Sequence, residues 1–297
     1  MPTADEHDPA ASNDNGSAST GGDVDTATPA PLDPAARQRI LHAENDSFYT
    51  MYQAAAAAGL GTGFVEVDGI RAVWSTRDED PGFSCVLNLG EASDPLATLA
   101  QMEERARADG AVLFGVDSSP ELEAQFDLAQ LAERGYVQDY QEIFWERRLG
   151  GPQEEQIPAP PTVAERAGTH QRQEFAETLN VGFGLPPDHV RGHVFASTIG
   201  DPDWVHYLVH AEEEPGSASA LYIGRGVGQL FVASTRPPYR GRGAQTAFIR
   251  QRLLDAQAAG CTLATSQTVD YNASPRNMER HGFGRMYVRT IWGRQFA

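Results

Sequence analysis

The chain has 297 residues, 40% of them hydrophobic, and a formal charge of −18. No apolar run reaches the roughly 20 residues of a membrane-spanning helix, and residues 1–30 hold neither the basic cluster nor the apolar segment of a secretory signal. Cys85 and Cys261 stand in no zinc-type or disulfide-type spacing, so no metal and no disulfide framework is expected, and a reduced cytoplasm is the default location.

All 23 basic residues are Arg. That excludes Schiff-base chemistry on a Lys and leaves phosphate contacts to Arg and the backbone. The charge is uneven. Residues 1–36 hold seven acids and no base, whereas residues 220–297 hold eleven Arg against three acids. The acidic whole argues against broad nucleic-acid affinity, while the basic C-terminal segment fits a compact polyphosphate ligand.

Residues 1–36 are Ala, Ser, Thr, Gly, Asp and Pro with almost no large apolar side chain, which predicts a disordered tail. Residues 37–150 predict a small α/β domain. A helix runs over 38–58, and a hairpin over 63–74 turns on Asp68-Gly69. A strand follows at 84–89, then a helix capped by Asp94, a buried-type strand at 111–116, a helix at 125–134 and a strand at 140–147. Residues 151–163, with Pro158, Pro160 and Pro161, predict a linker.

Residues 164–297 repeat the pattern. Helices are expected at 169–183 and from about 186–188, and strands at 204–209, 220–223 and 228–233. The helix over 244–258 carries Ala244, Ala247, Phe248, Leu254 and Ala258 on one face and Ile249 with Leu253 on another, so both faces are expected to be buried. A strand at 261–266 opens on Cys261, a core residue. A helix at 274–281 and a strand at 283–292 complete the domain. Glu133-Arg134-Gly135-Tyr136 in the first unit and Arg280-His281-Gly282-Phe283 in the second occupy matching places, which implies a tandem duplication.

The stretch from Leu230-Phe231-Val232 to Arg240-Gly241-Arg242-Gly243-Ala244 carries the chemistry. A strand leads through a Pro-marked turn into an Arg/Gly loop that opens a helix. The glycines allow positive φ and close approach, the first helical N–H groups lack partners, and the two arginines can bind phosphate in bidentate fashion. The first unit has Leu89-Gly90-Glu91 instead, so only the second copy kept an anion loop.

These residues, with Asn272-Ala273-Ser274 and Arg280-His281-Gly282-Phe283, resemble the GNAT superfamily of acyl-CoA N-acyltransferases. The resemblance is specific over 220–292 and weak over 37–150. It implies an α/β (α+β) fold of two GNAT-like domains, each a mixed twisted sheet flanked by helices, the first degenerate. It further implies acetyl-CoA or another acyl-CoA as co-substrate. Phe231, Val232 and Ala233 would meet the pantetheine arm, and Arg240, Gly241, Arg242, Gly243, Ala244, Gln245 and Thr246 would cradle the pyrophosphate. Many members place a Tyr acid four residues before the Gly of Gly-Phe, where this chain has Met278. Ser274 and Asn277 are the polar neighbours left for the thiolate. Gln245 also stands where a small residue is usual.

Direct transfer to a small-molecule amine needs a base, and His206 is the candidate. His206 and His210 are expected on one side of their strand. Tyr222, Tyr239 and Tyr287 are alternative donors, and no Gly-x-Ser-x-Gly elbow points to a Ser nucleophile. Two alternatives stand beside N-acetyl transfer from acyl-CoA. One is an aminoacyl-tRNA-dependent transferase on the same fold, the only case in which nucleic acid is a partner. The other is a non-catalytic acyl-CoA-binding regulator.

Overall fold

A computed structural model describes residues 32–150, 162–211, 214–269 and 274–296. Of the expected tail, residues 1–31 lie outside the described residues and Pro34–Ala36 are helical instead; of the expected linker, 151–161 lie outside them. Helix α1 (Pro34–Ala57) begins four residues before the expected 38. Asp33 accepts from the Ala36 N–H at 2.8 Å and Pro34 fills the first turn, where a missing N–H does no harm.

The first half continues with β1 (Thr62–Val67), β2 (Ile70–Ser75), β3 (Cys85–Leu87), α2 (Pro95–Ala108), β4 (Leu113–Ser118), α3 (Pro120–Glu123), α4 (Ala129–Glu133) and β5 (Val137–Arg148). Asp68 and Gly69 both take positive φ, as the two-residue hairpin requires. The helix expected over 125–134 is shortened to α4, and α3 is a separate short helix that precedes the expected range. Ser119 caps α3 with Pro120 in its first turn, and ahead of α4 the Asp127 side chain accepts from the Ala129 N–H at 2.9 Å.

The second half comprises β6 (Glu165–Arg166), α5 (Arg172–Gly182), α6 (Val190–Ala196), β7 (Trp204–Ala211), β8 (Glu214–Gly224), β9 (Val227–Thr235), α7 (Ala244–Ala258), β10 (Leu263–Val269), α8 (Ser274–Arg280) and β11 (Gly284–Gln295). The bounds of α7 match the expectation, but its burial does not. Phe248, Ile249, Leu253 and Ala256 are buried, while Leu254 is 43% exposed, so one face packs and the other meets solvent.

The duplication is visible in local geometry. Gly135 and Gly282 both take positive φ after a helix. The Tyr136 N–H then bonds the Leu131 carbonyl at 3.0 Å and the Phe283 N–H bonds the Met278 carbonyl at 3.1 Å. Each half also contains a parallel strand pair linked through a helix, β3–α2–β4 and β9–α7–β10.

All eleven strands join one sheet in the order β1-β2-β3-β4-β11-β5-β10-β9-β8-β7-β6. The last strand of each half crosses over: β11 pairs antiparallel with β4, and β5 pairs antiparallel with β10. The two exchanged strands also pair with each other. Alternation along the strands sorts the core into two layers. Val73 and Phe144 face α1, α5 and α6, whereas Trp74 packs toward α2 and Ile143 and Trp145 toward α7. No helix among the described residues is long and apolar enough to cross a membrane.

Candidate active site

Strands β9 and β10 pair over only three positions, from Leu263↔Val227 to Thr265↔Gln229. Beyond them the strands part, β9 keeping β8 as neighbour and β10 keeping β5. A cavity of about 870 Å³ opens where they diverge. Phe231, Val232 and Ala233 line it from β9, Gln267 and Val269 from β10, and Tyr140 and Glu142 from β5. The exchanged strand thus carries side chains of the first half into a cleft that Arg240 of the second half's Arg/Gly loop also lines.

Two residues of β9, Phe231 and Val232, oppose the single residue Ala220 of β8, a β-bulge. Phe231 is anchored there by Phe48 at 5.0 Å, Trp204 at 5.3 Å and Phe195 at 5.5 Å between ring centroids. The loop follows. Arg240 lines the cavity, and its guanidinium bonds the Thr235 carbonyl at 3.2 Å and the Gly182 carbonyl at 3.1 Å. Gly241 and Gly243 hold φ of 78° and 87°, a conformation that side chains disfavour. Gly243 is the N-cap of α7 and supplies no capping side chain, so the first N–H groups, at Ala244, Gln245 and Thr246, have no side-chain cap. Arg242 stacks over Tyr239 at 5.4 Å, and its carbonyl accepts from Thr162 Oγ1 at 2.8 Å.

The opposite wall is acidic. Asp78, Glu79, Asp80, Asp139 and Glu142 line it. Arg191 from α6 pairs with Asp78 at 2.6 Å and with Asp80 at 3.1 Å. Arg289 from β11 pairs with Glu142 at 2.8 Å, Asp117 at 2.9 Å and Glu44 at 2.8 Å. One guanidinium therefore faces three carboxylates, and Glu44 responds: burial pushes it up to about 7, against the pull of Arg289. Burial, then Asp80, raises Asp139 as well. Tyr140 donates to Asp80 at 3.1 Å, and burial keeps its phenol neutral far above the usual range.

Other expected site residues lie elsewhere. His206 is 2% exposed, edge-on to Phe175 at 5.0 Å, with Nε2 3.1 Å from both Thr198 Oγ1 and the Phe195 carbonyl. Burial lowers it to about 4, and it does not line the cavity. The register of β7 shifts between Val209 and His210, so the two histidines do not share an environment. His210 stands 3.7 Å from Glu165 beside a separate 200 Å³ pocket with Tyr239 and Arg242. Ser274 lines the main cavity, whereas the Asn277 side chain accepts from Arg280 at 2.8 Å and is not part of the lining. Tyr222 packs on Trp204 at 5.2 Å, Tyr287 stacks on Phe144 at 5.0 Å, and Met278 is buried in the α7 core. The acidic wall was missed in the sequence, although the run Asp78-Glu79-Asp80-Pro81 between two strands was a visible sign of it.

No family model and no curated protein matches the sequence. Solved structures do match the fold. A GCN5-related N-acetyltransferase from Kribbella flavida aligns over 83% of this chain and 96% of its own, with a TM-score of 0.57 and 18% identity. A tandem GNAT protein from the clavulanic acid biosynthesis pathway aligns over 79% of this chain and 83% of its own, with a TM-score of 0.51 and 15% identity. A GCN5-related N-acetyltransferase from Sphaerobacter thermophilus aligns over 76% and 80%, with a TM-score of 0.51 and 16% identity. The chain has the GNAT fold in tandem arrangement. Within this GNAT fold the parted strands, the bulge and the glycine loop all belong to the second half, while the first half supplies the acidic wall.

Proposed function

We propose that the chain is an N-acyltransferase that moves an acyl group, acetyl in the simplest case, from acyl-CoA to the amine of a small molecule. The observation that carries this reading is the parting of β9 from β10 next to an uncapped helix N-terminus. The open side of β9 suits the amides of a pantetheine arm. Arg240, Arg242 and the N–H groups at the start of α7 suit its pyrophosphate. An extended donor lying along β9 would bring its thioester to the cavity at Phe231–Ala233.

The acidic wall supports an amine acceptor, since carboxylates attract an ammonium group and can take its proton. Glu142 and Asp139 line the cavity and replace His206 as proposed bases. The neutral amine attacks the thioester carbonyl, the C–N bond forms, the C–S bond breaks, and the CoA thiolate leaves to be protonated. A backbone N–H of the bulge would stabilise the oxyanion, a type of contact worth about 3 kcal/mol of barrier. Ser274 is the polar group proposed on the thiolate side. The 870 Å³ cavity supports a small acceptor rather than a tRNA.

Isothermal titration with acetyl-CoA tests the donor site. Wild type is expected to bind, and Arg240→Ala and Gly243→Asp to weaken binding by about 10- to 100-fold through lost charged hydrogen bonds. Equal binding by all three proteins, or none by wild type, sinks the site. Release of free thiol from acetyl-CoA in the presence of an amine panel separates an enzyme from a binding protein.

A further inference from the structure

Arg252 lies in the middle of α7 and is 2% exposed. Burial lowers its guanidinium to about 10, so it stays cationic at neutral pH. Among the described residues no carboxylate pairs with it, and its guanidinium bonds three backbone carbonyls. Nε donates to Phe248 at 3.2 Å, and Nη1 donates to both Ala220 and Val232 at 3.3 Å. A cation buried without a counter-charge is costly, so its placement calls for a reason. The bulge supplies one. Where Phe231 and Val232 face Ala220 alone, the ladder cannot pair every carbonyl, and one Arg252 nitrogen bonds a carbonyl from each strand.

The peptide bonds are trans, so the Val232 carbonyl and the Ala233 N–H point in opposite directions. With the carbonyl turned to Arg252, that N–H points away from the guanidinium, and Ala233 lines the cavity. We infer that Arg252 is a positioning residue of the acyl-donor site, fixing the bulge so that the backbone at Phe231–Ala233 meets the thioester carbonyl. This rests on the acyl-CoA reading above. It also ascribes to α7 a second task beyond its N-terminus: the first turn holds the anion and the third turn sets the acyl end.

The test compares acetyl-CoA with CoA, which lacks the acyl carbonyl. Arg252→Met and Arg252→Lys are titrated with both ligands, with thermal melts to confirm folding. The expected result is a loss of about tenfold in acetyl-CoA affinity, the scale of one hydrogen bond, with CoA affinity nearly unchanged. Should Arg252→Met fail to fold, Arg252→Lys carries the comparison, because it keeps the charge while its shorter side chain does not place a nitrogen where Nη1 meets the Ala220 and Val232 carbonyls. Equal losses for both ligands, or no loss for either, would overturn the positioning role while leaving the donor reading intact. Absence of binding by wild type to both ligands would overturn the two together.

Discussion

Arg191 of the second half grips Asp78 of the first, with Nη2 2.6 Å from Oδ1 and Nε 2.8 Å from Oδ2. The same guanidinium lies 4.5 Å over the Phe83 ring and reaches Asp80. Asp78 is 3% exposed, so the pair sits where removing one partner leaves a nearly dry charge. Asp78→Asn is expected to cost about 3 kcal/mol. For a chain of this size that lowers the melting temperature by roughly 6–12 °C. Differential scanning calorimetry reads the shift directly, and an unchanged transition would mean that the pair contributes nothing to stability.

Glu44 and His206 should give stability opposite dependences on pH. Burial raises Glu44 from 4.5 to about 7, so the folded state holds a proton that the unfolded state has released. Its contribution is full below pH 4.5 and is lost as pH rises toward 7. Burial lowers His206 from 6.5 to about 4, so its contribution is full above pH 6.5 and is lost as pH falls toward 4. Each is worth about 3 kcal/mol across its window. Denaturant unfolding from pH 4 to pH 8 checks both. Relative to wild type, Glu44→Gln should gain as pH rises through its window and His206→Gln should gain as pH falls through its own. Parallel profiles for wild type and either variant would contradict the corresponding shift.

Exchange of β5 and β11 predicts that neither half is self-sufficient. A fragment of residues 162–297 lacks β5 and β4, so the edge of β10 and both edges of β11 are left unpaired. It should aggregate when expressed alone, as should residues 32–150, while co-expression should yield a soluble complex by size-exclusion chromatography. A monomeric, cooperatively melting 162–297 fragment would refute this.

Gly182 should be intolerant of any side chain. A Cβ there would fall 2.3 Å from Ser234 Oγ and 2.9 Å from the Thr235 backbone nitrogen. Its carbonyl also anchors Arg240. Gly182→Ala is therefore expected to weaken acetyl-CoA binding measurably in titration; an unaltered affinity would show that this anchor is dispensable.

The sequence is legible where the physics is local. Asp68-Gly69 marked the hairpin, the Arg240–Gly243 loop marked the start of α7, and the two Gly-aromatic turns exposed the duplication. Long-range pairing left no such mark. Nothing within 137–148 says that its neighbours will be 263–269 and 284–295, because a buried strand reads alike beside any partner. His206 shows the same limit: the residue type suggested a base, while its burial against Phe175 and Trp204 depends on packing that the strand pattern does not encode. The acidic wall became part of the site only because the exchanged strand and Arg191 bring it to the second half.

The position of β11 also sets an order of events during synthesis. It lies between β4 and β5, two strands made more than a hundred residues earlier. Until residues 284–295 leave the ribosome, β4 and β5 each keep an unsatisfied edge, and the sheet remains open at its centre. Closure is thus a late, non-local step, for which slow folding is the expected kinetic signature. Because Arg289 rides on that strand and pairs with Glu142 in the cavity wall, the acidic wall is completed only by β11. A nascent chain thus carries residues 240–246 before β11 can close the cleft beside them.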